Sequence, residues 1–413
     1  MKKLISGLLA ICLLSLTACS NISAINLMSD VTKDDIAAIV IDDPEEQESN
    51  KTDEIMDFSF EILEKSFDEE NILISPLSII TALAMTANGA DGNTISQMEN
   101  VFGTDIESLN EFLYSYMSYL PSEEKYTVNT ANSIWIKNDI IDMNTDFLQI
   151  GKNYYDASIY EDDFDNSTLK NINNWVKNET DGQIDKVIEE ISPDTFMYLI
   201  NAVSFDAEWD NIYDKSDIKD GEFTTENGDV QKVEFMYSSE YNYIELGNAT
   251  GFSKDYADGK YSFVALLPDE DLSMAEFTES LTAQDVLYAL ENSSNEKVLT
   301  SIPKFEFDYS TELKDVLSDM GMSDAFIDIK ADFSQMGETE FDNIYIEEVI
   351  HKTTITVDEK GTKAGAVTVI SMGATSADAS SEPKKVYLDR PFYFMIIDNE
   401  FNLPIFMGTL MEV

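Results

Sequence analysis

One stretch limits what the rest of this chain can be: Val357–Arg390, VDEKGTKAGAVTVISMGATSADASSEPKKVYLDR. It opens like a β-strand, passes Gly361 and then alternates. Thr362, Ala364, Ala366, Thr368, Ile370 and Met372 occupy every second position and carry no charge, while Lys363 falls on the other set. Alternate side chains of a strand point to opposite faces, so the segment suits a sheet with one buried and one wet face. Yet Ser376–Ser381 is small and polar, the composition of an exposed loop. The rest of the chain must therefore supply a sheet that a loop can join.

There is material for one. The chain has 413 residues, 43% of them hydrophobic, enough for a large core, although length alone would allow two or three domains. The formal net charge of -54 repels phosphate backbones, which excludes nucleic acid as a partner and otherwise serves solubility. At the N-terminus Lys2 and Lys3 precede an apolar run, Leu4 to Leu16, that ends in Leu16-Thr17-Ala18-Cys19. A charged start, a short apolar run and a small-residue cleavage site make a signal peptide over residues 1–18. The ending resembles the bacterial lipoprotein box, in which the cysteine after the cut carries the lipid, here Cys19. Cys12 lies in the removed segment, so neither a disulfide framework nor a cysteine metal site remains. Residues 19–52 are polar and acidic and read as a solvated tether.

The folded part is expected from about residue 53 to 413. Helical spacing predicts helices over Glu54–Phe67, Ala90–Phe102, Ile106–Leu120, Ile172–Lys177, Leu272–Leu290 and Leu313–Met320, and Pro76 suits the first turn of another. Strands are predicted at Val128–Lys137, Phe196–Phe205, Lys232–Met236, Tyr241–Glu245, Tyr261–Leu267, Lys297–Phe307, Tyr345–Val357, Phe392–Ile397 and Leu403–Met411. Pro303 argues for an edge or a bulge. Long helices come early and strands late, which favours α+β over a doubly wound α/β fold.

Chemistry is narrowed by a single count. The chain has one histidine, His351, so any histidine-dependent catalysis must use that residue. No G-x-S-x-G, H-E-x-x-H, P-loop or G-x-G-x-x-G accompanies it. Among 80 acidic residues paired carboxylates are unavoidable and carry no information. His351 lies mid-strand among Val349, Ile350 and Ile355, the surroundings of a hydrogen-bonded core histidine. A non-enzyme without metal or cofactor is the expectation, with a hydrolase using His351 as the remote rival.

Several segments, in order, resemble the serpin family. Asn71–Ser78 (NILISPLS) is similar to its N-x-x-x-S-P-x-S segment, and Gly89–Thr94 to its small-residue turn. Asn173–Lys177 through Thr180-Asp181-Gly182, Leu199–Phe205 with Trp209, Pro303–Phe307 through Gly321-Met322, and Val386–Ile396 resemble four further signatures. The resemblance implies a single domain of three sheets and about nine helices with an exposed reactive loop over about residues 359–385. It also implies a monomeric suicide-substrate inhibitor: a serine protease cuts the loop, which then enters the main sheet as a strand and traps the acyl-enzyme. On the matching positions, Glu359, Gly361, Thr362, Ala364, Ala366 and Thr368 form the hinge. Ser75, Ser78, Asn201 and His351 form the shutter below the sheet, and Trp209 stands at the breach where insertion starts. Gly361 would let the hinge rotate, and the small residues after it would slide in without overpacking. Gly365 and Val367 interrupt the usual alanine run, on the exposed register. The scissile bond is placed at Thr375-Ser376, with Met372, Ala374 and Ala377 as rivals. All are small or unbranched and uncharged, so the partner is a protease with a small or apolar primary pocket, elastase-like or subtilisin-like. The alternative is a serpin-like carrier or binding module on the cell surface whose loop no longer inserts.

Overall fold

A computed structural model of the chain describes residues 22–34, 36, 49–120, 126–191, 195–339, 343–362 and 382–413. The main sheet has seven strands in the order β1 (Ile25–Asn26), β5 (Ser158–Asp162), β3 (Tyr126–Lys137), β6 (Met197–Glu208), β16 (Gly361–Thr362), β15 (Glu348–Val357) and β13 (Phe305–Glu312). A six-stranded sheet runs β2 (Ile72–Ile74), β19 (Leu403–Leu410), β18 (Phe392–Asp398), β11 (Tyr261–Pro268), β10 (Ala249–Asp255) and β9 (Asn242–Leu246). A third contains β17 (Lys384–Tyr387), β12 (Val298–Pro303), β8 (Val230–Glu240) and β7 (Ile218–Thr224), and β14 (Gly337–Thr339) pairs with β4 (Ile141–Met143). Nine α-helices among the described residues complete the α+β fold: α1 (Ser49–Ser66), α2 (Pro76–Ala87), α3 (Gly92–Phe102), α4 (Ile106–Tyr119), α5 (Thr145–Tyr155), α6 (Asn166–Glu179), α7 (Met274–Ser280), α8 (Ala283–Glu291) and α9 (Lys314–Leu317).

Period-2 patterning puts the main sheet between two cores. Along β3, Ile134 and Ile136 enter the large core, whereas Ala131 and Trp135 enter a second cluster on the opposite face. Along β6, Leu199, Val203 and Phe205 take the first side and Tyr198, Ile200 and Ala202 the second. The second cluster is closed by α6, whose Trp175 meets Trp135 edge-on with ring centroids 6.5 Å apart. The large core is closed by α2, buried along its whole length, as an all-round apolar helix requires, and started by Pro76 in its first turn. α3 stops at Gly103, whose φ of 76° is the left-handed conformation that glycine adopts without penalty.

Two expected elements divide. The helix read over Leu272–Leu290 becomes α7 and α8, because Leu281 is extended and Thr282 caps a new start by accepting from the Asp285 amide. The strand read over Lys297–Phe307 becomes β12 and β13 in different sheets, and Pro303 ends the first of them. The N-terminal part of the stretch expected to be tether, residues 22–34, is packed against the domain as a strap. Its β1 adds to the edge of β5, Met28 is buried, and Asp34 and Asn153 exchange hydrogen bonds of 2.9 and 3.3 Å.

Since α6 reaches the sheet chiefly through Trp175, 2% exposed, Trp175→Ala should cost about 3–5 kcal/mol through the cavity it leaves. Chemical denaturation of the two proteins side by side would measure it.

Candidate functional site

The site is a gap in the main sheet. β6 and β15 are parallel neighbours that pair from Tyr198–Glu348 to Ala202–Lys352 and then part. At the far end β16 lies between them, antiparallel to both, with Gly361 opposite Glu208 and Thr362 opposite Ala207 and Val357. Between those two levels, no strand among the described residues pairs with the facing edges of β6 and β15. Among the described residues, Gly361 and Thr362 of the expected hinge thus stand at the head of this gap.

Its seat is built from the ends of neighbouring strands. Trp209, just beyond β6, stacks on Tyr256 at 4.4 Å and turns its edge to Phe263. It donates from its indole N–H to the Asp358 carbonyl (2.9 Å) and from its backbone N–H to the Lys360 carbonyl (2.8 Å). Tyr213 donates its amide to the Glu359 carbonyl at 2.9 Å. Thr362 is buried, its Oγ1 2.5 Å from the Tyr256 hydroxyl. The Asp358 carboxylate accepts from the amides of Lys360 and Gly361, which sets the turn. A Cβ on Gly361 would lie 1.9 Å from the Ala207 carbonyl oxygen. Close approach to β6 leaves no room for a side chain at this position.

Two lysines complete the seat. Lys304 bridges Glu359 (2.9 Å) and Glu234 (3.0 Å), tying the hinge to the third sheet. The hydrogen bond from Lys304 holds the Glu359 carboxyl below its ordinary range. Lys254 is 3% exposed, paired to Glu240 at 3.0 Å and placed over the rings of Trp209 and Tyr213 at 5.5 and 4.7 Å. Burial opposes its charge, but Tyr213 and Glu240 outweigh burial and raise its pKa. Sequence reasoning missed Lys254 and Tyr256. Alternation along β10 was the available signal, since Phe252, Lys254 and Tyr256 share one buried face.

At the closed end of the slot, Ser75, Ser78, Asn201 and His351 come together beneath the sheet. The His351 Nε2 accepts from the Ser75 amide at 3.1 Å, so the proton sits on Nδ1, which donates to Asn201 Oδ1 at 2.6 Å. The Asn201 amide donates to the Ser78 carbonyl (2.7 Å), the Ser78 hydroxyl (2.5 Å) and Asn132 Oδ1 (2.6 Å). Asn201 and His351 are also direct partners across β6 and β15. The ring is fully buried and its pKa falls from 6.5 to about 3 because burial disfavours the charged form. No substrate reaches an imidazole with no exposed surface, which counts against the hydrolase. Among the described residues no group of three His, Cys, Asp or Glu side chains could hold a metal. The remaining expected hinge residues Ala364, Ala366 and Thr368, the bond residues Met372, Ala374, Thr375, Ser376 and Ala377, and Cys19 lie outside the described residues.

Comparison with known proteins gives one answer. The family Serpin (serine protease inhibitor) matches residues 53–413. A serpin-like protein of Thermococcus kodakarensis is 32% identical over 89% of this chain and 87% of its own length. Human neuroserpin is 29% identical over 84% and 87%. The crystal structure of the thermophilic serpin tengpin in its native state superposes with a TM-score of 0.88 at 47% identity, covering 94% of this chain and all of that one. Tengpin in its latent state gives 0.78 at 44% identity, over 92% of this chain and all of that one.

The buried histidine makes stability depend on pH. His351 is neutral in the fold down to about pH 3, while in the unfolded chain it protonates near 6.5. Unfolding therefore takes up a proton between those limits. The stabilisation is complete above pH 6.5 and is lost as pH falls toward 3, by at most about 1.4 kcal/mol per pH unit. The stability difference between wild type and His351→Gln, measured from pH 7.5 to 4.5, should be flat above 6.5 and shrink below it. A constant difference would refute this account.

Proposed function

The chain belongs to the serpin family, and from that premise we propose that it is a suicide-substrate inhibitor of serine proteases with a small or apolar primary pocket, elastase-like or subtilisin-like. Family membership supports protease inhibition in general. The observation that supports trapping by loop insertion is the seating of Gly361–Thr362 between β6 and β15; the pocket preference rests on the loop sequence alone. Thr362 is already antiparallel to both walls, so a cut loop extends an existing ladder and needs no new nucleus.

Register then assigns each hinge residue a place. Continuing from Thr362, Ala364 comes opposite Phe205 and Ile355, and Ala366 opposite Val203 and Thr353. Thr368 arrives between Asn201 and His351, where the Nδ1–Oδ1 hydrogen bond has to break. Phe205, Val203 and Ile355 belong to the large core, so this face accepts only small residues without overpacking. Gly365 and Val367 fall on the other face.

The chemistry is the protease's own. Its serine attacks the carbonyl carbon of the residue before the scissile bond, Thr375 by our assignment with Met372, Ala374 and Ala377 as rivals. The C–N bond breaks, and the C-terminal fragment leaves with the new amine of Ser376. The N-terminal part stays as an ester on the serine. Insertion carries that ester away from the breach, and inhibition requires that this outrun hydrolysis. The inhibitor acts as a monomer without a cofactor. It sits on the surface of a bacterial cell, held by a lipid on Cys19.

Mixing with an elastase-like protease should give a gel-stable complex, and mass spectrometry of the released C-terminal peptide fixes the bond. Thr362→Arg buries a charge in the Tyr256 seat, and Thr368→Arg drives one between Asn201 and His351. Both should be cleaved as substrates and release active protease. If wild type does the same, with a melting temperature unchanged by cleavage, the inhibitor reading fails and a binding module replaces it.

A further inference from the structure

The strap, residues 22–34, precedes the family match at residue 53 and yet is bound along its length. Ser23 is held by Asn171 of α6, whose side-chain amide donates to the Ser23 hydroxyl at 3.0 Å. Ile22 and Ala24 pack on the cluster beneath that helix. Further on, Leu27 donates to the Ile159 carbonyl at 2.9 Å, Met28 is buried, and Lys33 lies over the Tyr114 ring at 5.0 Å. Cys19 is four residues before Ser23. Four residues, even fully extended, reach roughly 14 Å. A free tether from Cys19 to residue 52 would have a root-mean-square span of about 30 Å. Docking of the strap removes that slack.

The surface beside Ser23 is the outward face of α6. Its exposed residues are Asn166, Ser167, Lys170, Asn174, Lys177, Asn178 and Glu179, two lysines against one carboxylate, in a chain of net charge -54. Carboxylates stand at the helix ends, Asp163 and Asp165 before it and Glu179 at its close, and Lys177 shares its charge with Asp185 at 2.6 Å. The exposed residues of α6 are all polar or charged, so contact here is with headgroups and not the hydrocarbon. Asparagine amides and lysines suit phosphate and glycerol oxygens, and lysines near an anionic surface are drawn to it.

We propose that the strap and the outward face of α6 form a membrane-contact surface: the lipid on Cys19 holds the domain down on its α6 side, in one orientation, instead of letting it swing. This rests on the lipid-anchor reading of Cys19. The bilayer surface is the partner, and the strap sets the distance to it.

The test uses the full-length protein, matured in a bacterial host and placed in vesicles of equal parts phosphatidylcholine and phosphatidylglycerol. Lipid on Cys19 leaves an engineered cysteine as the single free thiol. A fluorophore at Asn174→Cys on α6 should be quenched several-fold more by headgroup-nitroxide lipids than one at Tyr288→Cys on α8. Met28→Asp, with release of residues 25–31 verified by hydrogen exchange, should still float with the vesicles but lose the difference. Equal quenching at the two sites in a protein whose N-terminal peptide carries the lipid mass overturns the orientation and leaves the anchor standing. A persisting difference in the released variant overturns the role of the strap. An unmodified Cys19 and no flotation overturn the anchor, and the proposal with it.

Discussion

Two parallel strands that pair over part of their length and then part leave rows of backbone N–H and C=O groups facing each other inside a sheet. β6 and β15 do this above Ala202 and Lys352. Such edges are templates for another strand, and proteins ordinarily pair or cover them. The opening is held at its two ends, by β16 at the breach and by the Asn201–His351 contact below. Each net hydrogen bond contributes about 1 kcal/mol, so a handful of polar contacts cannot outweigh a full new strand paired on both sides. On the proposed mechanism they would set the barrier to insertion, not the preference against it, and the stability of the arrangement would be kinetic.

The two ends are mechanically one object. Because β16 is antiparallel to both walls, each further residue inserted on the proposed mechanism would advance one step down both, with the side-chain face fixed by Thr362. Thr362 touches Tyr256, and a strand continued in the same register would meet His351 six residues further on. A shift of one residue would turn Lys363 into the large core. The Asp358 turn and Gly361, which closes on Ala207 without a side chain, prevent that shift at the first step.

The sheet framework was legible because both cores obey period 2, so β3 and β6 announced themselves as alternations around Trp135 and Phe205. The hydrogen-bonded cluster of Ser75, Ser78, Asn201 and His351 lies on short segments that the sequence singled out. What escaped had other causes. The α7–α8 break depends on a threonine cap rather than on hydrophobic spacing, and the step between sheets at Pro303-Lys304 keeps an extended backbone throughout. The strap was hidden because asparagines bind it: Asn171 takes Ser23, and Asn153 takes Asp34. A polar, acidic stretch held by side-chain amides has the same composition as a solvated one. The close approach of Gly361 to the Ala207 carbonyl was not legible, because sequence reveals a glycine but not the carbonyl it faces.

The acidity of the chain explains where its few cations are placed. With 26 Lys and Arg against 80 Asp and Glu, self-repulsion loosens any surface whose charges are left uncompensated. Lysines that bridge two carboxylates are the effective counterweight. Lys304 joins Glu234 to Glu359, and Lys260 joins Asp398 to Glu400. Lys254 is a different case, because a buried ion pair is seldom stabilising on its own account. Its position over Trp209 and Tyr213 adds ring faces to the Glu240 carboxylate, and together these keep it charged within a wall of the hinge seat. Removing Glu240 would leave that charge buried without its anion, and the strain would fall on Trp209, which holds the Asp358 and Lys360 carbonyls. The electrostatics of the third sheet and the position of the hinge are therefore coupled through one tryptophan.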